Sequence, residues 1–142
     1  MRAYLEWIYP APYTFYNTPP AHREEDLEEY RACPDRWFAV LTPEGGMVGM
    51  MEYAFDGPEH MEIGLGLRPD AVGRGCGAAF TRWAVAFGRA QFDYDGPVFL
   101  RVADWNTRAI RAYEKAGLRA LDKEPAQCHG QPVTFLRRVR TG

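Results

Sequence analysis

The run Gly73-Arg74-Gly75-Cys76-Gly77 constrains this chain more than any other segment. Before it, residues His60–Leu67 alternate, with Met61, Ile63, Leu65 and Leu67 on one face and Glu62, Gly64 and Gly66 on the other, which is the period of a strand. The glycines on the second face leave bare backbone for something to approach closely. After the run, Cys76, Phe80, Trp83 and Phe87 recur at helical spacing. This predicts an amphipathic helix to about Phe92 with that face toward the core. Strand, glycine-rich turn and helix together build an anion site. The first N–H groups of the helix point outward, the helix dipole adds partial positive charge, and glycine removes the side chains that would block approach. A glycine-rich helix start also occurs with a purely structural role, so the run alone does not choose between the two.

The rest of the chain supplies the order of elements. Tyr4–Tyr9 reads as a first strand stopped by Pro10-Ala11-Pro12. Tyr13–Pro20 reads as a loop or short irregular helix, and Arg23–Cys33 as an acidic helix with Leu27 and Tyr30 on its buried face. Trp37–Leu41 and Met47–Phe55 are rich in strand formers around the turn Pro43-Glu44-Gly45-Gly46, and Asp56-Gly57-Pro58-Glu59 turns the chain again. Arg68-Pro69-Asp70 ends the alternating strand. Asp95-Gly96-Pro97 leads into a strand at Val98–Ala103, then a helix at Asn106–Ala116 closed by Gly117, then a last strand or two including Val133–Val139. The fold class is therefore α+β, a mixed sheet flanked by helices, with one domain over residues 1–142.

Composition removes several functions. Lys and Arg number 17 against 19 Asp and Glu, a net charge of −2, which argues against a general nucleic-acid coat. The longest apolar windows are a few residues, whereas a membrane-spanning helix needs about 20. Glu6 interrupts any signal-like core near the start, and no small-residue cleavage site follows it. Cys33, Cys76 and Cys128 are scattered, as are His22, His60 and His129, so neither a disulfide framework nor a metal site is expected. A reducing cytoplasm is the expected compartment.

Two segments in order, the glycine run Val72-Gly73-Arg74-Gly75-Cys76-Gly77 and the later Asn106-x-x-Ala109-x-x-x-Tyr113-Glu114-Lys115-x-Gly117-Leu118, carry a resemblance. Across roughly Met47–Leu121 the chain resembles the GNAT superfamily of acyl-CoA-dependent N-acyltransferases. That family's pyrophosphate loop reads Arg/Gln-x-x-Gly-x-Gly/Ala, and its later segment ends in an aromatic where this chain has Leu118. One departure stands out: Val72 occupies a position where the family usually carries Arg or Gln, and Arg74 or Arg68 is the expected substitute for the missing charge. A dinucleotide fingerprint also fits Gly73-x-Gly75-x-x-Ala78, but too little chain follows for a nicotinamide domain.

The resemblance implies an N-acetyltransferase using acetyl-CoA, with the sheet splayed between His60–Leu67 and Val98–Ala103 to hold the pantetheine. It implies CoA contacts from the backbone of Leu65, Gly66 and Leu67, from Gly73, Arg74, Gly75, Gly77 and Ala78, and from Asn106. It implies Tyr113 as the acid that protonates the departing thiolate, a role suited to a phenol of ordinary pKa near 10. Without it, Tyr113 reads as a core tyrosine. Glu62 is the implied base, commonly acting through water, and otherwise a solvated strand residue. Asn106 also suits a helix cap. Cys76 reads as core rather than nucleophile, so direct attack in a ternary complex is expected.

The acidic run Glu24–Glu29 reads first as a solvated face and second as an attractor for a cationic amine. Tyr9, Tyr13, Phe15 and Tyr16 read first as packing and second as an acceptor-side wall. The expected partner is a small-molecule or peptide amine, with a homodimer left open. Two competing functions are an acyl-CoA-binding sensor without turnover, suggested by Val72, and a peptide-binding module built on the aromatic N-terminus.

Overall fold

The computed structural model describes residues 2–11 and 13–142, so Pro12, part of the expected strand stop, lies outside the described residues. Six strands form one mixed sheet in the order β1-β2-β3-β4-β6-β5. They are β1 (Trp37–Leu41), β2 (Met47–Phe55), β3 (Met61–Leu67), β4 (Val98–Ala103), β5 (Arg119–Cys128) and β6 (Gln131–Arg140). The helices are α1 (Arg2–Leu5), α2 (Arg23–Ala32), α3 (Gly77–Gln91) and α4 (Thr107–Lys115). The chain divides into two compact units. One holds Met1–Glu52 and Leu65–Val72, and the other holds Tyr53–Gly64 and Gly73–Gly142.

In the first unit, the expected strand at Tyr4–Tyr9 is instead the short helix α1 followed by irregular chain. Aromatic residues favour strands because they fit a half-buried pleated surface. Here the same rings are buried locally: Leu5 joins Leu27 and Tyr30 of α2 in a core against which Tyr4 and Trp37 pack. Leu27 and Tyr30 face inward as expected, while Glu24, Glu25, Glu28 and Glu29 are exposed, the solvated face. Strand β1 pairs antiparallel with β2 from Trp37↔Glu52 to Leu41↔Met47. The intervening turn is closed by Thr42 and Gly46, with Gly45 at φ +90°.

In the second unit, α3 lies where expected but buries the opposite stripe. Ala78, Thr81, Ala84, Val85 and Gly88 are buried, whereas Trp83 is 49% exposed and Cys76 precedes the helix at the surface. The small-residue face wins because it lets the helix come close to its neighbours: a Cβ on Gly88 would fall 2.3 Å from Cε1 of Tyr53, and one on Gly77 3.2 Å from Cβ of Ala112 on α4. Helix α4 begins at an Asn106 cap, whose Oδ1 accepts the Ala109 N–H at 3.2 Å. It ends in a Schellman turn: the Gly117 N–H donates to Glu114 O, the Leu118 N–H donates to Tyr113 O, and Gly117 sits at φ +91°.

The sequence leaves one or two strands open after α4 and gives no bounds for the first, which is β5 (Arg119–Cys128), polar and containing Pro125. It is the last strand of the sheet, where proline is tolerated. It pairs antiparallel with β6 around the two-residue turn His129-Gly130, whose φ values are +48° and +80°.

Four phenols are held neutral by burial. Tyr4, Tyr30 and Tyr53 are pushed well above the usual tyrosine range, first by desolvation. Tyr9 is pushed up to about 12 by desolvation and by Tyr16. An unfolded phenol ionises near ~10. The stability that these groups contribute is therefore full below that pH and is lost as pH rises through the folded values. The melting temperature is expected to fall steeply above about pH 10, with part of the tyrosinate absorbance appearing only on unfolding. Full tyrosinate absorbance in a still-folded chain would contradict this.

Candidate active site

Strand β3 meets β4 at two register pairs, Met61↔Val98 and Glu62↔Phe99, after which β4 continues to Ala103 in register with β6. Ile63 and Gly64 follow Glu62 without a ladder partner on β4. The ladder thus stops at the residue singled out as base. The alternation of β3 holds at its start: Met61 and Ile63 are buried, and Glu62 is on the other side with 26% of its side chain exposed.

Glu62 does not stand alone. Its Oε1 lies 2.7 Å from Nε of Arg101, one strand away, and Nη1 of Arg101 lies 3.4 Å from Oε1 of Glu124. The guanidinium also sits 5.4 Å from the centre of the Phe135 ring, and His60 stacks on Phe99 at 4.0 Å. These register partners come from β4, β5 and β6, and no local motif announces them.

The glycine run has the expected local chemistry. Gly73 and Gly75 adopt φ +79° and +77°, a left-handed region that L side chains rarely enter. No side-chain cap from Cys76 satisfies the leading N–H groups of α3, and its first turn carries no acidic residue. Gly77 and the buried Ala78 open that helix, and Arg74 is exposed. The fold thus brings Gly73 and Gly77 beside α4, whose half-buried stripe is Ala109, Ile110, Ala112 and Tyr113, whereas a side chain at Gly75 would meet open space. Asn106, 8% exposed, sits at the start of α4 as its cap.

An open groove of about 610 Å³ follows β4, walled by Asp104 and Trp105 and by Pro125, Gln127, Pro132 and Thr134 of the hairpin. Sequence reading did not find this groove, because it left the strand that walls it open and without bounds.

Leu65, Gly66 and Leu67 belong to the first unit. The space beside Gly66 is not open: a Cβ there would fall 2.9 Å from Cε1 of Tyr4 and 3.2 Å from Cγ of Met50, so this glycine makes room for a ring. The Tyr9 hydroxyl donates to the Leu67 carbonyl at 2.7 Å. Tyr16 packs edge to face against both Tyr9 and Phe15. Arg68 is committed locally, its Nε 2.5 Å from Asp70, so the expected substitute cation is already engaged by a carboxylate. Among the described residues, no group of three His, Cys, Asp or Glu side chains is placed to hold a metal ion, and no helix is long and apolar enough to cross a membrane.

The family model described as acetyltransferase (GNAT) family matches residues 1–118, and the chain belongs to that family. Solved structures share the fold. Spermidine N-acetyltransferase from Vibrio cholerae, in a dodecameric structure, is 19% identical with a TM-score of 0.68 over 83% of this chain and 73% of that one. A chimera of that enzyme, SpeG, with hSSAT is 19% identical with a TM-score of 0.70, covering 98% and 90%. An acetyltransferase (GNAT family) from Bacillus anthracis is 16% identical with a TM-score of 0.64, covering 83% and 72%. No match was found among curated proteins.

Proposed function

We propose that this acetyltransferase moves the acetyl group of acetyl-CoA to a primary amine by direct attack within a ternary complex. The observation that carries the reading is the left-handed Gly73 and Gly75 leading into the uncapped start of α3, in a chain of this family. The N–H groups there suit the pyrophosphate.

Glu62, oriented through Oε1 by Arg101, accepts the ammonium proton through water at its other oxygen. The neutral amine nitrogen then forms a bond to the carbonyl carbon, the carbon–sulfur bond breaks as Tyr113 donates its phenolic proton to the thiolate, and the proton that the acylated nitrogen sheds leaves through water and restores the phenol. The groove after β4 offers the acceptor the Trp105 side chain and the Asp104 carboxylate, both attractive to a cation.

The second reading, a CoA sensor without turnover, is favoured by Val72 and by the engagement of Glu62 with Arg101. One experiment separates the two. Millimolar CoA is expected to raise the melting temperature by mass action, and a panel of amines with acetyl-CoA is expected to release free thiol. A shift without thiol release selects the sensor. The absence of any shift rejects both.

A further inference from the structure

We infer that Glu124, on the last strand of the sheet, is a positioning residue for the reaction, acting on Glu62 through the guanidinium that the two carboxylates share. The inference rests on reading Glu62 as the base.

Register puts the three side chains on one face of the sheet. Glu62 pairs with Phe99, and Arg101 stands two residues beyond Phe99 on the same side of β4. Ala103 continues that side, Phe135 faces it from β6, and Glu124 faces Phe135 from β5. Three strand spacings, about 14 Å, separate β3 from β5, so the two carboxylates cannot meet. Arg101 spans the gap. Its Nε lies 2.7 Å from Oε1 of Glu62, its guanidinium sits over the Phe135 ring at 5.4 Å, and its Nη1 lies 3.4 Å from Oε1 of Glu124.

The next cation on this face has a carboxylate of its own. Arg137 stands opposite Arg101 on β6, a like-charge pair that would repel if left alone. Asp122 lies 3.0 Å from Nη1 of Arg137 and offsets that charge. A guanidinium given wholly to one carboxylate favours its ionised form and makes it a poorer proton acceptor. Divided between two, the guanidinium still orients Glu62, while Glu124 draws part of its charge away. All three side chains are partly exposed, so the coupling has the modest size of screened ion pairs.

The test is a double-mutant cycle on the full chain, read as thiol release from acetyl-CoA with methylamine, benzylamine and lysine methyl ester as acceptors. Glu124→Gln is expected to lower kcat by about twofold to fivefold, the coupling range of partly exposed ion pairs. KM for acetyl-CoA and the melting temperature are expected to stay at the wild-type values. Glu124→Asp, which keeps the charge, is expected to recover part of the loss. Added to Glu62→Gln, Glu124→Gln is expected to have no further effect. An unchanged kcat in Glu124→Gln, or the same loss with Glu62 already replaced, overturns the assignment. A higher KM for the amine at constant kcat overturns it too, since Glu124 would then bind the acceptor directly. A Glu62→Gln chain as fast as the wild type, or a wild type that releases no thiol, overturns instead the base reading beneath it.

Discussion

Replacing Tyr113 with Phe is expected to lower kcat by about 10²–10⁴-fold while KM for acetyl-CoA stays nearly constant. The substitution keeps the ring and removes only the hydroxyl. Tyr113 is half-buried on the inner stripe of a helix whose ends are fixed independently, by the Asn106 cap and the Gly117 turn. Folding is therefore expected to change by no more than about 1–2 kcal/mol, the worth of one hydrogen bond. The phosphate cradle proposed at Gly73–Gly77 is untouched, so donor binding is expected to persist. The thiolate then leaves without a proton, and chemistry slows. Pre-steady-state rates of thiol release in the variant and the wild type are the measurement. Equal rates, where chemistry limits turnover, would return Tyr113 to a packing role and pass the proton to water.

Gly88→Ala is expected to destabilise the chain by about 3 kcal/mol, against a gain of about 1 kcal/mol that alanine normally brings to a helix interior. The clash decides the sign. The new methyl would sit 2.3 Å from Cε1, 2.9 Å from Cδ1 and 3.1 Å from Cζ of Tyr53. That ring cannot swing aside cheaply. Tyr53 is 2% exposed, its hydroxyl donates to the Ala84 carbonyl at 2.7 Å, and Phe92 packs on it at 5.3 Å. Thermal unfolding is the measurement, with a drop on the order of 10 °C expected for a chain of this size. Combining Gly88→Ala with Tyr53→Leu removes the colliding atoms, so the double variant is expected to be less destabilised than the sum of the two singles. A Gly88→Ala chain that melts higher than the wild type would show that α3 can shift outward at little cost.

What could be read from the sequence tracks how local the determining physics is. Helix α4 was legible because its cap and its left-handed end are written in Asn106 and Gly117. The glycine turn was legible for the same reason, since only glycine sits easily at φ +79° and +77°. The inner face of α3 was not. Hydrophobic spacing selected the aromatic stripe of Phe80, Trp83 and Phe87, whereas close approach selected the small one containing Ala84 and Gly88. Steric fit to a distant Tyr53 has no signature in local periodicity. Strand β5 was legible only as an optional second strand without bounds, because a polar strand at the end of a sheet needs little apolar patterning. The Glu62–Arg101–Glu124 chain depends on the register of four strands, and the meeting of Gly77 with Ala112 on the seating of one helix against another. Such pairings exist only once the long-range contacts are made.

The proline in β5 has a consequence for how copies of this chain meet one another in concentrated solution. A terminal strand with a full row of donors invites a neighbour's strand to extend the sheet, the usual start of edge-to-edge aggregation. Pro125 removes one donor from that row, and Asp122, Lys123 and Glu124 just before it place alternating charge along the same stretch. A strand arriving from another molecule would find an interrupted ladder and would have to strip water from charged side chains to use the rest. Polymerisation through this edge is thereby discouraged.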